Sequence, residues 1–209
     1  NAGGADSIIE IGAVKIKNQT IVDRYQTFVN PEVELSEFIK DLTSISDEDL
    51  VDARLIDEVM PEFIEFIEDS ILVAHNAGFD MGFIIEKAFN LGFEINNAYI
   101  DTLNFARYFY SDKLKRFNLA ALSKFFKVTL NNHHRADQDA EATSKVWIQM
   151  IYDLRELGIK TSKDLMEAID PNESYKHMFP KHMTVLAKNQ DGYKDMFKVV
   201  SEALTTNFS

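Results

Sequence analysis

Two stretches near the start of the chain alternate apolar and polar residues, 8–17 (IIEIGAVKIK) and 20–29 (TIVDRYQTFV). A period of two marks a half-buried strand, and the Asn18-Gln19 pair between them predicts a hairpin of two antiparallel strands. After Asn30-Pro31 the period changes. Residues 35–42 and 46–50 read as short helices, the second opened by Ser46 ahead of an acidic run. Residues 56–67 place Ile56, Val59, Met60, Phe63, Ile64 and Ile67 on one helical face. Residues 71–74 (ILVA) are an unbroken apolar run, predicted as a strand buried on both faces. His75 and Asn76 break the run, and an amphipathic helix follows from about residue 79 to residue 91 through Phe83, Ile84, Ala88 and Leu91. Residues 98–103 (AYIDTL) predict a further short buried strand, and 103–110 and 119–126 two helices. Beyond a polar loop at 131–135, a long helix is expected over about 137–157, with Ala140, Thr143, Trp147, Met150, Ile151 and Leu154 as its inner face. Near Gly158 the character shifts to a short helix at 160–168 and a turn-rich link bracketed by Pro171 and Pro180. A strand at 183–187 and a final helix at 189–204 follow, the helix carrying Tyr193, Met196, Phe197 and Val200 on one face.

This order of elements predicts an α/β fold for residues 1–158, a linker over 159–181 and a small strand-helix piece over 182–209. A hydrophobic content of 45% with 16 Phe supports a substantial core. The absence of cysteine removes both a disulfide framework and a thiolate zinc site. No apolar run approaches the roughly 18 residues a membrane span needs, and the first residues show no signal-peptide pattern, so a cytoplasmic location without a membrane partner is expected. The net charge of −12 argues against a protein that coats duplex DNA by broad phosphate neutralisation. An acidic chain can still handle nucleic acid where its carboxylates hold divalent cations and it touches few nucleotides.

Two segments carry candidate chemistry. In residues 70–80 (SILVAHNAGFD) a strand, a tight turn and a helix start place Asp80 at the carboxyl edge of a strand, where open α/β sheets gather ligands. The second segment, His134-x-x-x-x-Asp139, sets an imidazole and a carboxylate at one helix entrance. An imidazole serves as general base near neutral pH, and carboxylates hold hard cations such as Mg²⁺. Hydrolysis of a phosphodiester uses both, with cations about 3.5–4 Å apart clamping the attacking and leaving oxygens. Each segment also has a plainer reading. Asp80 and Asp139 complement helix dipoles, Asn76 and Asp137 cap helices, and His134 is a loop residue. A hydrolase with a nucleophilic side chain has little support, since there is no cysteine and no serine in a nucleophile elbow.

Taken together and in this order, IIEIGAVKI, LTSISDEDL, SILVAHNAGFDMGFI, IDTL, FNLAALSKFF and HHRADQDAEAT resemble the DnaQ-like (DEDDh) 3′–5′ exonuclease family. Within it they are most similar to the exonuclease domains of PolC-type bacterial replicative polymerases, over residues 6 to about 155. The resemblance implies a ribonuclease H-like mixed sheet flanked by helices and a two-cation site for Mg²⁺ or Mn²⁺. Asp80 and Asp139 would be metal-binding carboxylates and His134 the general base. Asn76 and Phe79 would shape the pocket for the 3′ nucleotide. Asp101 faces the same edge, either as a supporting carboxylate or as a cap for the helix from Leu103. The implied activity is proofreading at single-stranded DNA 3′ ends, with the remainder of a polymerase chain and the replisome as partners. Residues 182–204 resemble part of the polymerase-and-histidinol-phosphatase (PHP) domain that adjoins such exonucleases.

The family's first motif, an Asp-x-Glu-Thr strand end supplying two further metal carboxylates, has no counterpart in this sequence. Asp6 and Glu10 are poor substitutes. The expectation is therefore a fragment lacking its first, mid-sheet strand, binding divalent metal weakly and cleaving DNA little or not at all. Two alternatives accompany this reading: a stand-alone exonuclease acting on RNA or oligonucleotides, and a non-catalytic binding module.

Overall fold

The hairpin forms as the alternation predicts. β1 (Glu10–Lys17) and β2 (Thr20–Phe28) pair antiparallel from Glu10↔Phe28 to Lys17↔Thr20, with a bulge between Lys15 and Ile16. Asn18 and Gln19 turn the chain with φ of 52° and 57°, the doubly left-handed turn that matches strand twist. The computed structural model describes residues 7–129 and 135–160 together with 164 and 168. These lie in the first of two units into which the chain divides, Asn1–Met178 and Phe179–Ser209. The elements expected at 183–187 and 189–204 fall outside the described residues, as do His134, Asp6 and the link at 171–180. Of the helix expected at 160–168, Asp164 and Ala168 are described, both helical.

Three helices follow the hairpin: α1 (Glu37–Thr43), α2 (Asp47–Leu50) and α3 (Ile56–Ile67). Ser46 opens α2 through a reciprocal capping box with Asp49, which is why an acidic run after a serine was a usable start signal. α3 buries Val59, Met60, Phe63 and Ile67, the expected stripe, against Ile11 and Val29 from the hairpin and Ala88 and Ile95 beyond it.

β3 (Leu72–Ala74) pairs parallel with β4 (Tyr99–Asp101), joined by α4 (Ala77–Asn90). The apolar run at 71–74 is not buried on both faces as expected. Ile71 lies outside the strand and is 63% exposed, and Leu72, Val73 and Ala74 are half-buried. Among the described residues β3 has β4 as its hydrogen-bonded neighbour on one side alone, and an edge strand shields less of its own surface.

α5 (Thr102–Phe109), α6 (Leu119–Phe125) and α7 (Ala136–Glu156) complete the described elements. α7 packs along β1 and β2, with Arg24 bonded to Glu141 at 2.6 Å and Arg155 bonded to Gln19 of the hairpin turn at 2.6 Å. Its other side joins Phe105, Ala106, Tyr110, Leu119 and Leu122 in a second core. The inner face of α7 consequently differs from the single stripe expected. Ala142, Ser144 and Val146 are buried along with Thr143, Met150 and Leu154, whereas Ala140, Trp147 and Ile151 are half-buried. A helix gripped from two sides buries more than one stripe.

Candidate active site

The candidate carboxylates stand at three junctions where the helices α4, α5 and α7 begin. The first is the β3–α4 turn. Asn76 adopts φ 65°, ψ 46° there, a left-handed conformation that Asn tolerates better than most residues. Its side chain makes no capping bond, contrary to the plainer reading of Asn76 as a cap. Its backbone instead points an N–H at Asp101 Oδ1, at 3.0 Å. Asp80 follows in the first turn of α4, and Phe79 beside it stands 63% exposed with its ring edge-on to Phe83 at 4.9 Å.

The second junction is β4–α5. Asp101 is the N-cap of α5: Oδ1 accepts from Leu103 N at 2.9 Å as well as from Asn76 N, and Oδ2 accepts from Asn104 Nδ2 at 3.0 Å. The cap reading is the one the geometry favours, with a non-local bond added that ties the β3–α4 turn to the start of α5. The Thr102 hydroxyl lies 3.2 Å from the Ala74 carbonyl and 3.0 Å from His75 Nδ1, within hydrogen-bonding reach of both. His75 therefore also ties β3 to α5.

The third junction is the start of α7, whose first turn carries Asp137 and Asp139. Here local sequence misleads. Arg135 is the N-cap residue and makes no side-chain cap bond, and Asp137 accepts from Gln138 Nε2 rather than capping. The cap comes from β1. Glu10 Oε2 accepts the Ala136 N–H at 2.9 Å and Arg135 Nε at 3.2 Å, while Oε1 accepts from Arg135 Nη2 at 3.0 Å and Gln26 Nε2 at 2.9 Å. Both oxygens of Glu10 are thus taken and its side chain is 4% exposed, so it is no stand-in for a metal ligand. Gly12, two residues along the same face of β1, makes the close approach possible: a Cβ there would lie 2.5 Å from the Ala136 carbonyl oxygen.

Asp80 registers the convergence. Its carboxyl is pushed up from 3.8 to about 6, first by loss of water around it and then by the negative charges of Asp101 and Asp139. Much of the Asp80 residue still meets solvent, so its carboxyl stands at an open surface. Asp80 and Asp139 thus act electrostatically on one another across 59 residues of sequence, on the first turns of two helices. Among the described residues no three His, Cys, Asp or Glu side chains are grouped so as to hold a metal ion, in keeping with Asp101 being committed to N–H donors. His134 lies outside the described residues, one position before Arg135. Sequence reasoning missed Glu10, Gly12 and Arg135 as shapers of this site. The available signal was period-two spacing, which sets an acid and a glycine on the strand face opposite the buried Ile11.

Among the described residues no helix is long and apolar enough to cross a membrane. The chain is similar to DNA polymerase III PolC-type of Caldanaerobacter subterraneus subsp. tengcongensis, 45% identical over 199 residues, which covers 95% of this chain and 14% of that protein. It is similar also to DNA polymerase III PolC-type of Staphylococcus aureus, 43% identical over 204 residues, covering 97% of this chain and 14% of the relative. The chain therefore spans about one-seventh of the length of these curated relatives. Its fold is similar to that of Exonuclease X solved in complex with 5′ overhanging duplex DNA, with a TM-score of 0.60 at 23% identity over 78% of this chain and 92% of that one. The Exonuclease (RNase T) family model matches residues 1–147, and the chain belongs to that family.

Proposed function

We propose that this chain is the 3′–5′ proofreading exonuclease part of a bacterial replicative DNA polymerase. It would hydrolyse phosphodiester bonds one nucleotide at a time from a DNA 3′ end. The observation that supports the reading is the electrostatic influence of Asp139 on Asp80, beside the exposed ring of Phe79. The likeness to PolC-type polymerases over 95% of the chain supplies the polymerase setting.

A carboxyl stripped of water and facing other carboxylates fits a hard divalent cation, and Asp80 and Asp139 are the residues that would hold it. Mg²⁺ or Mn²⁺ held there would supply positive charge to the phosphoryl group under attack. His134 takes the proton of the attacking water. Phe79 stacks on the terminal base and Asn76 shapes the wall beside it, a sequence-tolerant grip suited to a few unpaired nucleotides. A mispaired terminus unpairs at the least cost, so selectivity arises before the strand reaches the site. An acidic chain can work in this way because it holds few phosphates at once.

A 5′-labelled single strand incubated with Mg²⁺ or Mn²⁺ tests the reading. The chain is assayed alone and with a strand segment bearing the family's Asp-x-Glu pair fused ahead of it. Little shortening by the chain alone is expected, because its sequence lacks that pair. Stepwise shortening from the 3′ end is expected from the fusion, together with loss of turnover in its Asp139→Asn variant while the melting temperature is retained. A folded fusion that leaves DNA intact, or an Asp139→Asn variant at full rate, refutes it.

A further inference from the structure

Glu10 accepts four hydrogen bonds, and three of them come from the entrance of α7. Arg135 lies across Glu10 through two nitrogens, with its guanidinium over the Phe28 ring at 5.3 Å from the ring centre. Both ends of this brace are fixed in strands of the hairpin: Glu10 on β1, and Gln26 and Phe28 on β2. The brace continues into the site. The Arg135 carbonyl accepts the backbone N–H of Asp139 at 2.9 Å, and Ala136, whose N–H Glu10 holds, is the first residue of the helix. Gly12 keeps the helix start pressed against β1. One side chain thereby ties the first turn of α7, which carries Asp139, to β1.

We propose that Glu10, acting with Arg135, is a positioning residue for cation binding: it clamps the start of α7 to the hairpin so that Asp139 faces Asp80. The inference rests on the reading of Asp80 and Asp139 as cation-holding carboxylates. Glu10 touches neither cation nor substrate in this account. Its four filled acceptor positions leave it nothing to offer a metal, and its work is done through the backbone of Ala136 and Arg135. Groups that orient metal-holding side chains typically change metal affinity by about 10–100-fold when removed.

The experiment is a Mn²⁺ titration of the 209-residue chain followed by ¹H–¹⁵N NMR, in which a paramagnetic ion broadens the amide signals nearest to it even when binding is weak. In the wild type the Asp80 and Asp139 amides broaden together. In Glu10→Ala about tenfold more Mn²⁺ is needed to reach the same broadening, at the low end of that range. Glu10→Gln retains an acceptor oxygen for Ala136 N–H, so it falls between the two. It also serves as the working variant should Glu10→Ala fail to give a dispersed spectrum. Melting temperatures are measured on the same samples. A fall in melting temperature with an unmoved Mn²⁺ midpoint makes Glu10 a structural brace only and overturns the proposal. Asp139→Asn separates this failure from a deeper one. If that variant and the wild type broaden alike, or neither broadens, the carboxylate site itself is wrong and the proposal falls with it.

Discussion

Gly12→Ala inserts a single methyl group between β1 and the start of α7. Gly12 is not among the described glycines with positive φ, which are Gly92 and Gly158, so its backbone conformation is open to alanine and the effect is steric alone. The added Cβ would lie 2.5 Å from the Ala136 carbonyl oxygen and as close to Asp137 N. Neither is a side-chain tip that can swing aside; both belong to the helix backbone, held in place by Glu10. Overpacking of interiors costs about 1–3 kcal/mol even where side chains can adjust, and the upper end applies here, about 3 kcal/mol. At about 2–4 °C per kcal/mol for a chain of this size, the melting temperature should fall by about 6–12 °C. Gly82 is the control. It lies within α4, where an added Cβ meets nothing within 4 Å. Alanine there removes backbone freedom from the unfolded chain and should stabilise by about 0.5–1 kcal/mol, or about 1–4 °C. Thermal melts followed by circular dichroism check both variants. A Gly12→Ala protein melting at or above the wild type would refute the close approach, and with it the fixed seat of α7.

Asp80→Asn should flatten the dependence of stability on pH. Because the folded carboxyl titrates near 6 rather than 3.8, the folded chain holds a proton between about pH 4 and 6 that the unfolded chain has released, so stability declines as pH rises through that window. In chelator, the wild type should lose melting temperature relative to Asp80→Asn over this range, and equal slopes would contradict the crowding of carboxylates. Tyr110→Phe removes a 2.8 Å hydrogen bond from a buried hydroxyl to Asp153, at an expected cost of about 1 kcal/mol in urea denaturation. Leu122→Ala, at a fully buried site between α6 and α7, should cost about 2–5 kcal/mol by the same measurement, and a loss under 1 kcal/mol would mean the second core is loosely packed.

Much of the fold was legible because period and boundary signals agreed. Residues 56–67 carried a clear apolar stripe, and α3 occupies those residues. Asn18-Gln19 marked the hairpin turn as a polar pair between two alternating runs, Asn18 being a residue that accepts positive φ. The buried run at 71–74 misled because apolar content records what a strand is able to bury and not how many neighbours it finds. The inner face of α7 was read from one stripe, whereas contact with the hairpin on one side and α5 and α6 on the other buried Ala142 and Val146 as well. At the site, Asp80 and Asp139 were visible as acids in first helical turns. What holds them was not. The plainer reading gave α7 a cap from within its own segment, Asp137, and the structure draws it from Glu10, 126 residues earlier. Asp101 was legible as a cap, but its bond to Asn76, 25 residues back, was not, because period and propensity describe neighbours along the chain.

The separation of Glu10 from its donors has a bearing on how this protein acquires its shape during synthesis. The strand that seals the helix entrance is made early and the helix late, Arg135 following Glu10 by 125 positions. Contacts closing so long a loop are among the slowest to form. Until α7 has left the ribosome, Glu10 has no Arg135 or Ala136 to receive. The two acids can therefore meet only once α7 has been made and has reached the hairpin.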